Sequence, residues 1–267
     1  MSRVRRGSVP SWGFPVAVLL AVLILGLYTG FRDSSHSLVS GPEGVYAAFA
    51  GSGIRLLLPL VAAYLGGGRL AHELHAGWIP LVRARTDIRR YLTSLLARGV
   101  AISGVGFALI GMVWWIVAAT IIPTLFPRAI VPEEFGPSAE AVRAVAESAG
   151  QLVVLLRGGG VAFGAGVALW LGGHAAVFAA LGFVSALIFR SRVLALVFPL
   201  AVYMIQSVVA QVGSRPELSF VIGAVYPGGL QRFTLGDALA PGLILAMLVL
   251  LALSILLARS RSHPRLA

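Results

Sequence analysis

The stretch GGGVAFGAGVALWLGGHAAVFAALGFVSALIF, Gly158–Phe189, contains no Asp, Glu, Lys or Arg. About 20 mainly apolar residues let a helix cross roughly 30 Å of hydrocarbon, so this run is long enough to span a bilayer. Its glycines, among them Gly158–Gly160, Gly172 and Gly173, allow one tilted helix or a helix with a broken end, and they permit close contact with neighbouring helices. Four further intervals share the lack of charge: Gly7–Phe31, Gly99–Pro127, Val193–Ser214 and Ala238–Ala258. One such helix can be buried in a soluble protein. Five in a chain of 267 residues leave too little polar surface to dissolve it.

Composition agrees. Hydrophobic residues make up 58% of the chain and charged residues 12%, against about 25% charged in an ordinary soluble domain. The fold expected is an all-α polytopic membrane protein forming a single transmembrane domain over residues 1–267. Its spans are expected near 13–30, 46–66, 99–123, 159–187, 193–211 and 239–258. The second carries Arg55, which is costly at mid-bilayer unless it snorkels, pairs or faces protein. The basic start and apolar run at the N-terminus resemble a signal peptide, but the run is long, lacks a clear small-residue cleavage site and is followed by more spans. It reads as an uncleaved first helix.

Orientation follows from the short loops. With six spans, one side receives Arg3, Arg5, Arg6, Arg69, Arg83, Arg85, Arg89, Arg90, Arg98, Arg190, Arg192, Arg259, Arg261 and Arg265, against the acids Glu73 and Asp87. The other eight acids, Asp33, Glu43, Glu133, Glu134, Glu140, Glu147, Glu217 and Asp237, fall on the opposite side. The positive-inside rule therefore places both termini in the cytoplasm, together with the charged segment 70–92. A net charge of +11 does not call for nucleic acid, because topology and anionic lipid account for juxtamembrane arginines. Outside the membrane, a partly helical outer segment is expected over 131–150, between the third and fourth spans, where Ser138 is placed to cap a short helix.

Tests for chemistry return little. The absence of cysteine removes disulfide frameworks and thiolate metal sites. HELH, His72–His75, lacks the i, i+4 histidine pair of a zinc protease, since position 76 is Ala76; no metal site is expected. Every basic residue is arginine, so no lysine exists for a phosphate-binding P-loop, and Gly66–Gly68 and Gly158–Gly160 do not follow strands. No catalytic constellation is evident, and the chain reads as non-catalytic. His174, deep in a span, and Arg55 are the intramembrane residues with functional potential. The bland reading of His174 is a neutral imidazole hydrogen-bonded inside the bundle, and that of Arg55 is a snorkelling side chain.

The segment 70–92 holds the sharper signal. As a short amphipathic helix it would set Leu74, Trp78 and Leu81 on one side and Glu73 and His72 toward another, with Pro80 kinking or ending it. Glu73, Gly77, the apolar run Trp78–Val82, and Arg89 followed by Tyr91 and Leu92 resemble the loop after the second span in membrane subunits of ABC-2 type transporters. Six spans and an outer segment near Val212–Ala240 are also similar to that family.

The resemblance implies a permease subunit that moves an amphipathic or hydrophobic substrate outward across a bacterial plasma membrane. It implies that ATP and Mg are held by separate ATP-binding subunits, two copies per complex. The loop helix would couple the two kinds of subunit, with Glu73, Gly77, Trp78 and Leu81 contacting the ATPase and Arg83, Arg85 and Arg89 fixing the segment. A second permease chain, identical or related, would pack near the first and fifth spans. The competing readings are a secondary transporter, which would carry internal repeats and paired intramembrane charges, a membrane-integral lipid-modifying enzyme, and a structural component of a larger complex.

Overall fold

The structure is a computed structural model that describes residues 13–36, 45–46, 49, 54–125, 160–225 and 235–259. Six of its helices are long and apolar enough to cross a membrane. In chain order the helices are α1 (Gly13–His36), α2 (Ile54–His75), the short α3 (Ile79–Arg83), α4 (Ile88–Leu125), α5 (Gly160–Ile188), α6 (Arg192–Val212), the short α7 (Phe220–Gly223) and α8 (Leu235–Ala258). The chain is a polytopic all-α membrane protein. The segment 131–150, expected to be partly helical, lies outside the described residues.

Two spans run differently from their expected bounds. α2 begins at Ile54 and continues to His75, instead of covering 46–66. Arg55 consequently stands in the first turn of the helix rather than at its middle, where a guanidinium is cheap to hydrate or pair. α4 starts at Ile88 instead of near 99 and spans 38 residues, about 57 Å at the α-helical rise. This exceeds the hydrocarbon thickness, so its first turns, bearing Arg89, Arg90 and Arg98, extend past the apolar layer. Near its far end the helix widens to a π-helical stretch, Val117–Ile121, just before Pro123, which has no N–H to give the Ala119 carbonyl.

α5 is one unbroken helix and occupies the centre, packing on α2, α4, α6 and α8. It is 72% buried over its most apolar window, whereas α8 is 11% buried, which fits a helix apolar on all sides surrounded by others that turn one face to lipid. Hydrocarbon offers no hydrophobic drive between helices, so association rests on close packing and interhelical hydrogen bonds. The packing here reaches backbone against backbone. A Cβ on Gly66 would lie 2.1 Å from the Ala179 carbonyl oxygen, and one on Gly182 would lie 2.5 Å from the Ala63 Cα. The glycine run in α2 thus seats that helix on α5, a role unrelated to phosphate.

Polar groups released inside the bundle are met from other helices. Pro199 within α6 leaves the Ala195 carbonyl without its helical donor. The Ser185 hydroxyl on α5 lies 2.7 Å from that oxygen, closer than the 3.0 Å to either of two carbonyls in its own helix. Ser103 on α4 similarly donates to the Ala175 carbonyl of α5 at 3.2 Å. At the periphery, the Trp114 indole reaches the Leu23 carbonyl of α1 at 3.4 Å and lies over Gly26.

Neighbouring glycines in α5 make a direct test of this packing. A Cβ on Gly172 would meet the Gly104 carbonyl oxygen at 2.5 Å, while one on Gly173 would meet nothing within 4 Å. Gly172→Ala is expected to cost about 1–3 kcal/mol through overpacking and to lower the thermal midpoint of the detergent-solubilised protein. Gly173→Ala should leave the midpoint at or above the wild-type value.

Candidate functional site

The candidate site is assembled at the arginine-rich end, where α2 passes to α4. In the last turns of α2, Arg69 and Glu73 form an i, i+4 pair, with Arg69 Nε donating to Glu73 Oε1 at 2.9 Å. The other carboxylate oxygen, Oε2, accepts from the Tyr91 hydroxyl of α4 at 2.5 Å. Both oxygens of Glu73 are therefore engaged within the chain, and its side chain is only 15% exposed. A charge-assisted pair of bonds in a half-buried setting is stronger than the same contacts in water. Glu73 ties the end of α2 to the start of α4.

α2 then stops abruptly. Gly77 takes φ +69° and an added Cβ would touch nothing, so glycine is needed there for its backbone conformation alone. The Trp78 N–H donates back to the Glu73 carbonyl at 3.1 Å, the six-to-one bond of a Schellman end. This break corrects the expectation of one amphipathic helix through Leu74, Trp78 and Leu81. Leu74 belongs to α2 and packs partly buried against the core, whereas Trp78 caps the separate helix α3. Pro80 falls in the first turn of α3, where its missing N–H has no partner to lose.

α3 has two contrasting sides. Ile79 is 2% exposed and joins the core with Ile88 and Leu92, so the helix is held by its inner side. Trp78 is 41% exposed and Leu81 62% exposed, forming an apolar ridge on the outer side. Arg85, which follows α3, and Arg90, in the first turn of α4, are also exposed. Arg83 closes α3 with its backbone, and its side chain lies outside the described residues. Asp87 caps α4 by accepting from the Arg89 N–H at 3.2 Å. The Arg89 guanidinium donates to the Ala258 carbonyl at 2.9 Å, placing a cation at the C-terminal end of α8, where free carbonyls and the helix dipole favour it.

Glu73, Gly77, Trp78, Leu81, Arg85 and Arg89 thus lie together, while Arg55 and His174 do not join them. Arg55 is about 27 Å along α2 from Glu73 at the α-helical rise. His174 is buried in α5, its Nδ1 3.0 Å from the Trp170 carbonyl and its ring 4.9 Å from the Trp170 ring. The tautomer that bond selects carries its proton on Nδ1 and leaves Nε2 an acceptor. His72 and His75 are exposed in the last turn of α2. Sequence reading passed over Arg69, although its i, i+4 spacing to Glu73 was a usable signal. It named Tyr91 only as part of a motif, because its bond to Glu73 requires α2 and α4 to lie side by side.

No protein-family model matches this chain, and no curated protein or solved structure matches it. The geometry itself describes a short rigid element braced from inside and apolar outside, an arrangement suited to mechanical contact.

Tyr91→Phe should loosen this brace by about 1 kcal/mol, the scale of one hydrogen bond to a partly exposed charge. Amide hydrogen exchange at Trp78 should then quicken about five-fold. In a double-mutant cycle, Tyr91→Phe should add little once Glu73→Ala has removed the acceptor.

Proposed function

We propose that this chain is the membrane-spanning permease subunit of an ABC-2 type exporter, with ATP hydrolysed by a separate subunit that docks at α3. The observation that carries the reading is the exposed pair Trp78 and Leu81 on a helix whose other side is anchored in the core. Large apolar side chains on a rigid element beside arginines have the composition of an interface anchor. A rigid docking element transmits displacement, and α3 is joined to two spans at its ends, the second of which, α4, is tied through Arg89 to the end of α8.

The arginine distribution favours a cytoplasmic position for this end and for both chain termini. Energy from ATP then has to come from another chain, since this sequence contains no lysine and hence no P-loop. Two ATPase copies would face two permease chains, with α1 and α6, the first and fifth spans, offering apolar faces for the second permease. The cargo favoured by such a surface is amphipathic or hydrophobic. Within this reading Glu73 acts by bracing the docking element, while Trp78 and Leu81 make the contact.

Gentle solubilisation of the tagged chain from its native membrane should recover a soluble-type ATPase. Leu81→Asp and Trp78→Asp, both at exposed positions, should reduce that recovery at least ten-fold at unchanged chain abundance, measured by mass spectrometry and ATP hydrolysis. Undiminished recovery with both variants would overturn docking at α3. Ion-gradient-driven transport by the purified chain alone in liposomes would replace the exporter reading with a secondary transporter.

A further inference from the structure

Between α6 and α8 the chain folds back on itself through the turn Pro216–Leu218 and helix α7. This segment is fastened at four points. The Gln206 amide nitrogen donates to the Leu218 carbonyl, and its amide oxygen accepts from the Phe220 N–H at 3.0 Å. The Ser207 hydroxyl accepts from the Val221 N–H at 3.0 Å, and the Trp170 indole donates to the Gly223 carbonyl at 2.7 Å. Phe220 is stacked on Tyr203 with ring centres 6.1 Å apart and meets Phe178 at 5.5 Å. It is therefore a fixed wall.

That wall faces a cleft of about 300 Å³ lined by Val202, Gln206 and Phe220 on one side and by Pro241, Ile244 and Leu248 of α8 on the other. Gln206 is the polar member of the lining, and both ends of its amide are spent on the folded-back segment. A ligand with polar groups would be desolvated there without a partner. α8 stands at the edge of the bundle, and Ile244 and Leu248 are 58% and 59% exposed. The mouth consequently opens sideways, within an apolar span, toward bilayer hydrocarbon.

We propose that this cleft is a binding site for one acyl chain of a membrane phospholipid, which enters laterally between α6 and α8. Because the bilayer is itself apolar, retention comes from the fit of a chain against the fixed Phe220 wall, not from hydrophobic transfer. The site does not depend on ATPase docking at α3 and is tested separately from it, whereas a second permease seated over α6 and α8 would compete for the same cleft.

Native mass spectrometry of the purified full chain, released from mild-detergent micelles doped with dioleoylphosphatidylcholine, tests it. The wild-type chain should retain one phospholipid. Ile244→Trp and Leu248→Trp fill the cleft from exposed positions and should reduce retention at least five-fold. Met247→Trp, on the same helix, 70% exposed and outside the lining, should retain lipid as the wild type does. Equal retention in all four proteins would overturn the site, as would no retained lipid in the wild type. A wild-type dimer that both cleft variants convert to monomer would assign the cleft to a second copy instead.

Discussion

The architecture depends on the contact between α2 and α5, where glycines bring two backbones closer than any side chain would allow. In hydrocarbon, helices gain little by hiding apolar surface from one another, so depth of packing must supply the attraction. Gly66 and Gly182 provide that depth. Once α2 is seated, α5 can be enclosed by α4, α6 and α8, while α1 rests outside against α4 through Trp114. The helices with lipid-facing surfaces are the ones left at the edge.

The same register places the polar lock at the arginine-rich end. With α2 and α4 side by side, Tyr91 meets Glu73 and completes a carboxylate already paired with Arg69. This changes what Glu73 can do. A glutamate with both oxygens engaged inside the chain is a brace, and the outward surface falls to Trp78 and Leu81. The positive φ at Gly77 separates these roles, because it ends α2 before the apolar ridge begins.

Elsewhere in the bundle, prolines and polar side chains act together. Pro199 removes a helical donor, and Ser185 supplies one from the central helix. Gln206, Ser207 and Trp170 satisfy the backbone of the segment folded back beside α8. Irregular backbone persists at this depth because its groups are paired within the protein. The cleft beside Phe220 is a product of that arrangement, since the segment is pinned to α6 and does not fill the space under α8.

By itself the sequence determined the membrane class and the number of long helices, because uncharged length is a local property set by the thickness of hydrocarbon. It also marked the segment around Glu73 and Gly77 as unlike the rest, since charge density is equally local. It misplaced the limits of α2 and α4, because a helix that continues past the apolar layer has no hydropathy signal to mark where it ends. The bond from Tyr91 to Glu73, the seating of Gly66 against Ala179 and the reach of Arg89 to the end of α8 could not be read from spacing. Each joins residues distant along the chain, and only the packing of one helix on another decides which side chains and carbonyls come within bonding distance.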